Sequence, residues 1–273
     1  MNRQLVGYGL LLALMLVAPT LVYPVLVMKI LCFALFACAF NLLIGYTGLL
    51  SFGHAVFLGT AGYVAGHSIK VWGFPPEIGL IFAALAAAAL GWVIGSLAIR
   101  RSGIYFAMIT LALAQMMYFF FLQAPFTGGE DGLQDVPRGK LLGIIDLADD
   151  FNLYYFVLAI FIFAFWLIHR TIHSPFGQVL KAIRENEARA ISLGYDVAKY
   201  KLLAFVLSAG LAGLAGATKT LVFRFATLTD AHWHKSGEVV LMTLLGGMGT
   251  VFGPVVGAAT IVTLQNELAD KVG

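Results

Sequence analysis

The sequence predicts an all-α fold, a polytopic transmembrane helix bundle of about eight spans with glycine-broken helices near the midplane, and three observations carry that expectation. The first is composition: 60% of the 273 residues are apolar and 11% are charged, against roughly 45–50% and about 25% in an ordinary soluble domain. A soluble globule could not cover itself with so few polar groups, and a disordered chain would not carry so many large apolar ones. The second is length: apolar runs recur that match the roughly 20 residues a helix needs to cross a bilayer core of about 30 Å. The third is the segregation of basic residues to alternate run ends.

In chain order the runs are 5–22, 26–44, 54–71, 78–99, 103–123, 151–169, 202–218 and 239–265. Arg3 before the first run and small residues around Ala18 also fit a secretory signal, but membrane helices follow directly, so cleavage is not required. Arg100 and Arg101 lie between runs four and five, and Arg170, Lys181, Arg184, Arg189, Lys199 and Lys201 lie between six and seven, so both connections are expected inside. The loop 124–150 holds Glu130, Asp131, Asp135, Asp146, Asp149 and Asp150 against Arg138 and Lys140, and is expected outside. Eight crossings with both termini inside satisfy every assignment. No linker or repeat divides the chain, so residues 1–273 are read as one domain.

The segment 174–194 is expected to be an amphipathic helix on the inside. Ser174 suits an N-cap, Pro175 the first helical position and Gly194 the residue just past the end. Phe176, Val179, Leu180, Ile183, Ala190 and Ile191 recur at helical spacing, with Glu187 interrupting the stripe. Three cations against two carboxylates within it leave a net +1, too weak for electrostatic anchoring on lipid. The pattern suits a groove in a partner protein, or a plain solvated connector.

Two membrane segments are interrupted by glycine. Residues 41–63 hold Gly45, Gly48, Gly53, Gly59 and Gly62 together with the polar Asn41, Thr47, Ser51 and His54, which would be costly facing lipid. Residues 245–257 place Gly246, Gly247, Gly249, Gly253 and Pro254 inside one long apolar run. Broken helices of this kind line transport pathways, and close packing of small residues is the alternative. Asn41, Ser51, His54, Gly246, Gly247 and Gly249 are therefore the pathway candidates, while Gly210, Gly213 and Gly216 read as packing.

Other chemistry is weakly represented. No GxxxxGK[ST] phosphate loop exists, since Gly139-Lys140 is followed by leucine. Ser51 and His54 lack an evident third group for nucleophilic catalysis, so no catalytic residue is expected. His232 and His234 lack a third ligand, and TGGEDG at 127–132 lacks EF-hand spacing, so neither a metal nor another cofactor is expected. Cys32 and Cys38 read as small core residues, and Lys29 as a cation able to snorkel to its span end. A net charge of +3 without a basic face gives no reason to expect nucleic acid.

The stretches NLLIGYTGLLSFGHAVFLG, GIYFAMITLALAQ, TGGEDGL, SPFGQVLKAIRENEARAISLGYDVAKYKLLAFVLSAGLAGLAG and GGMGTVFGPVVGA together resemble the permease subunits of branched-chain amino acid ABC importers, the LivH/LivM group and its LivM side in particular, from about residue 30 to about 265. The resemblance implies a multi-pass subunit of the bacterial cytoplasmic membrane, in contact with membrane lipid, paired with a LivH-like permease and two cytoplasmic ATP-binding subunits. An extracytoplasmic binding protein would deliver the solute. It also implies that the inside segment couples to the ATPases through Ile183, Arg184, Glu185, Glu187, Ala188, Ala190 and Gly194, although Arg189 stands between the alanines. Members of the group commonly continue with another hydrophobic segment past the position of Leu268, where this chain stops at Gly273. The absence of acidic residues within the first seven runs fits a neutral or zwitterionic solute such as a branched-chain amino acid. Urea or a short amide is the sister option, and an ion-coupled carrier or a membrane scaffold that moves nothing is the more distant one.

Overall fold

Helix α1, Pro24–Thr47, begins on a proline, where no amide partner is needed, and stops at Gly48, whose φ of 74° lies in the left-handed region. The computed structural model describes residues 15–16, 18–19, 22–141 and 143–272, so most of the expected first span, and with it the inside N-terminus, lies outside the described residues. Every residue of α1 from Leu31 to Thr47 is buried. A helix apolar all round belongs in the interior of a bundle, and five of the later described helices pack directly against it.

Helices α2 (Ala55–Lys70), α3 (Pro76–Ala98), α4 (Ile104–Gln123) and α5 (Asp150–Ile172) follow, then the short α6 (Pro175–Glu185) and α7 (Glu187–Ser192), the long α8 (Val197–Phe223), and finally α9 (Trp233–Gly246) and α10 (Gly253–Val272). Five of the described helices, α1, α3, α4, α5 and α8, are long and apolar enough to cross a membrane, rather than the expected eight. Two physical reasons account for the difference within the described residues.

The span expected at 54–71 is the 16-residue α2, about 24 Å long and too short to cross alone. A non-helical stretch, 48–54, carries the chain from the foot of α1 back to mid-depth, where His54 packs on Phe36 and Phe40. The span expected at 239–265 is two helices: α9 ends at Gly247, whose φ is 106°, and α10 starts afresh at Gly253. They pack against each other, a Cβ on Gly257 meeting the Met242 carbonyl and one on Gly246 the Gly253 carbonyl, as in an antiparallel hairpin. A hairpin returns the chain to the side it left, so the described C-terminal end points away from the 174–194 face, and the expectation of an inside C-terminus is corrected.

Opposite ends of α5 and α8 define two faces. One carries α6 and α7, the basic face. The other carries 124–150, the loop face, where β1 (Lys140–Leu141) pairs antiparallel with β2 (Ile145–Asp146) as a small exception to the all-α expectation. Arg138 pins that loop, donating to Asp150 at 2.7 Å, to the Ala148 carbonyl at 3.2 Å and to the Val222 carbonyl at the end of α8 at 3.1 Å. Within TGGEDG, Thr127 is buried and donates to the Phe121 and Ala124 carbonyls at 2.5 and 2.7 Å.

Candidate functional site

On the basic face the local sequence shapes two short helices. Ser174 caps α6 by accepting from the Gly177 amide at 3.4 Å, and Gly177, Leu180 and Ile183 bury one face. Asn186 then turns extended, with φ −156° and ψ 98°, and its Oδ1 accepts from the Arg189 amide at 3.0 Å to cap α7. Past α7, Gly194 adopts φ 87°, the Tyr195 amide donates to the Ala190 carbonyl at 3.2 Å and the Gly194 amide to that of Ile191 at 2.9 Å, which is a Schellman stop. The expected ends of the helix are thus present, but the single helix is broken at Asn186. The break resets the helical phase. Ala190 stays buried with Ile183 and Val197, whereas Ile191, expected on the buried stripe, is 58% exposed, and Leu193 and Tyr195 are exposed beside it.

Glu187, which interrupts the apolar stripe in sequence, pairs at 2.8 Å with Lys201 of α8, whose side chain is only 7% exposed. This ion pair ties α7 to α8. Replacing Glu187 by Lys would face a buried cation with another, and α7 is expected to detach; hydrogen exchange across 187–194 should then rise about tenfold or more, the equivalent of losing roughly 1.4 kcal/mol or more of local stability. Next along, Asp196 caps α8 and its carboxyl is held below the usual range, chiefly by the hydrogen bond from the Lys199 side chain.

The other side of α6 faces the foot of α1. Arg184 Nη1 donates to the Gly45 carbonyl, and the Lys181 ammonium sits 5.7 Å from the centre of the Tyr46 ring. Gly45 in turn touches the α9–α10 turn, since a Cβ there would lie 2.8 Å from the Gly249 nitrogen. Asn41, one turn up α1, holds the same turn with both ends of its amide: Gly249 donates to Oδ1 at 2.9 Å and Nδ2 donates to the Thr250 carbonyl at 2.8 Å. Gly249 has φ 79°, and a Cβ there would also crowd Arg184 Nη1 at 3.2 Å. A cleft of about 430 Å³ opens among Gly45, Tyr46, Lys181, Arg184, Glu185 and Gly249.

Two sequence-derived groups therefore converge: Arg184 and Glu185 from the inside segment, Asn41 and Gly249 from the glycine-broken segments, with Gly246 and Gly247 at the entry to the turn. Ala188 is exposed on α7 and Gly194 only ends it. Asn41→Leu would leave the Gly249 amide and Thr250 carbonyl without this partner, at a cost of about 1–3 kcal/mol for each group. A thermal melt in detergent is expected to show the midpoint several degrees lower, with α1 itself retained.

Ser51 and His54 lie elsewhere, both wholly buried. Ser51 accepts from the Gly53 amide at 3.3 Å, while His54 Nε2 meets Ser208 Oγ at 3.0 Å within a cage of Phe36, Phe40, Phe57 and Phe205. Ser208 donates to the Ala39 carbonyl at 2.5 Å, so the imidazole helps tie α8 to the middle of α1. The two residues are not hydrogen-bonded to each other. His232 and His234 stack at 5.1 Å on the loop face, and the described residues contain no group of three or more potential metal ligands.

Sequence reasoning missed Asn186, whose extended backbone has no signature within an otherwise helical pattern. It also missed Lys219, one residue beyond the expected run 202–218, which forms a buried ion pair with Asp230. An acidic residue twelve positions from a span end gives no local hint of such a partner.

Comparison with known proteins finds similarity along most of the chain. The family model described as branched-chain amino acid transport system / permease component matches residues 24–272. The chain is 27% identical over 253 residues to the high-affinity branched-chain amino acid transport system permease protein LivM of Escherichia coli (strain K12), with 84% of this chain and 60% of that protein covered. It is 24% identical over 196 residues to the probable branched-chain amino acid transport permease protein LivM of Methanocaldococcus jannaschii, covering 68% and 55%. It is 30% identical over 169 residues to the ribose import permease protein RbsC of Bacillus subtilis, covering 57% and 50%. The chain thus spans 60% or less of the length of these relatives. No solved structure matches.

Proposed function

The chain belongs to the branched-chain amino acid transport system permease family, and from that premise we propose that it is the translocation subunit of an ATP-driven importer for branched-chain or related neutral or zwitterionic amino acids. In this reading it pairs with a second, similar permease and two cytoplasmic ATP-binding subunits, and takes solute from an extracytoplasmic binding protein. The basic face is cytoplasmic, and the membrane is the bacterial inner membrane. The observation that carries the reading is the Arg184 contact with Gly45, which joins an amphipathic surface helix to the glycine turn of a broken membrane hairpin.

Mechanically, the exposed apolar edge of Ile191, Leu193 and Tyr195 is where an ATPase docks. Its closure on nucleotide moves α6 and α7 as one unit, because Asn186 caps one helix where the other ends and Ile183 packs with Ala190. Arg184 transmits the movement to the foot of α1, and Asn41 passes it to the α9–α10 turn. The hairpin then shifts between two packings, opening the path to one face or the other.

Reconstitution of the complete transporter in proteoliposomes tests this. ATP-driven uptake of a branched-chain amino acid, absent without nucleotide and not replaced by an ion gradient, is the expected outcome. Uptake by this chain alone on an ion gradient would overturn it.

A further inference from the structure

At the loop-face end of the bundle, five charged side chains from four elements gather where a membrane protein seldom places them. Lys219 of α8 and Asp230, in the short turn Leu228–Ala231, form an ion pair with side chains 11% and 8% exposed, and Thr227 donates to the second Asp230 oxygen at 3.2 Å. Lys235 of α9 binds both oxygens of Glu238 at 3.0 and 2.9 Å, and its ammonium lies 5.6 Å from the centre of the Phe33 ring. Lys29 stands one turn from Phe33 on the same side of α1, which brings it to this cluster. Lys235, Lys219 and Glu238 all lie within its electrostatic reach.

The charges do not balance. Each of two lysines has its own carboxylate, and Lys29, half-buried, has neither an ion pair nor a hydrogen bond among the described residues. Three cations against two anions leave one positive charge in the cluster. A lysine retained here next to two others is electrostatically unfavourable unless an anion joins it.

We propose that Lys29, flanked by Lys219 and Lys235, is a binding site for the carboxylate of the transported solute. The ligand class is a free α-amino acid, in preference to urea or a short amide, neither of which carries a carboxylate. The proposal rests on the permease reading above and narrows its solute class.

The test uses the assembled transporter in proteoliposomes with saturating binding protein, and L-leucine and urea as probes. Lys29→Met is expected to lower ATP-driven leucine uptake about tenfold, the scale of one charge-assisted hydrogen bond. Lys29→Arg is expected to keep most of it, because a guanidinium also pairs with a carboxylate. Unaltered leucine uptake in Lys29→Met, or equal losses in the Met and Arg variants, would overturn the site and leave the permease reading standing. Uptake of urea but not leucine by the unmodified transporter would overturn the solute class and the site together.

Discussion

Arg184→Glu is expected to abolish ATP-driven uptake while the chain still inserts and assembles with its partners. The guanidinium donates to the Gly45 carbonyl at the point where α1, α6 and the α9–α10 turn meet. A charged donor on a carbonyl is worth about 1.5–3 kcal/mol, so its loss alone makes the correctly docked arrangement roughly ten- to a hundredfold rarer. Glutamate adds repulsion, because its carboxylate would face a carbonyl oxygen with Glu185 adjacent in the same cleft. The side chain is on the surface of the basic face, so the membrane helices do not depend on it. Uptake in vesicles, read beside native-gel assembly of the complex, separates the two effects. Near-normal uptake with Arg184→Glu would remove the junction from the mechanism.

The second large effect concerns the three glycines of α8. Gly216→Val is expected to destabilise the bundle by about 3 kcal/mol or more, whereas Gly210→Ala is expected to be nearly neutral. At Gly216 an added Cβ would meet the Leu58 carbonyl of α2, and backbone cannot yield as a flexible side chain can. At Gly210 the nearest atom is the Ala88 methyl at 3.4 Å, an ordinary contact. Gly213 lies between them, its added Cβ running into the Ala87 methyl of α3. Thermal denaturation in detergent is expected to rank the variants in that order, and equal melting of the Gly210 and Gly216 variants would contradict the packing assignment. The polar link across the same helices, His54 to Ser208 to the Ala39 carbonyl, does not compensate, because its geometry requires the close approach that Gly216 permits.

What could be read along the chain follows the range of the interactions involved. Ser174, Pro175 and Gly194 act on backbone within a few residues, and the structure has caps and a stop where those residues predict them. Apolarity reports that a segment avoids water but not which way it runs. The run 239–265 is equally apolar through its turn, so it reads as one crossing, and only the pairing of Gly246 with Gly253 and of Met242 with Gly257 reveals two helices. The candidate residues divide on the same principle. Glycine and polarity single out Asn41 and Gly249 separately, but their partnership spans 208 positions in the sequence and no local pattern encodes it. Ser51 and His54, chosen on polarity too, find their partners in the packed interior.

The central claim is that α6 and α7 hold a nucleotide-hydrolysing subunit and pass its movement to the hairpin. A photo-crosslinking amino acid at Leu193, 68% exposed on that edge, tests it most directly in the assembled transporter. The expected result is an adduct with the ATP-binding subunit whose yield changes when nucleotide is added. An adduct with lipid alone, or labelling of position 193 by a membrane-impermeant reagent applied outside intact cells, would contradict it.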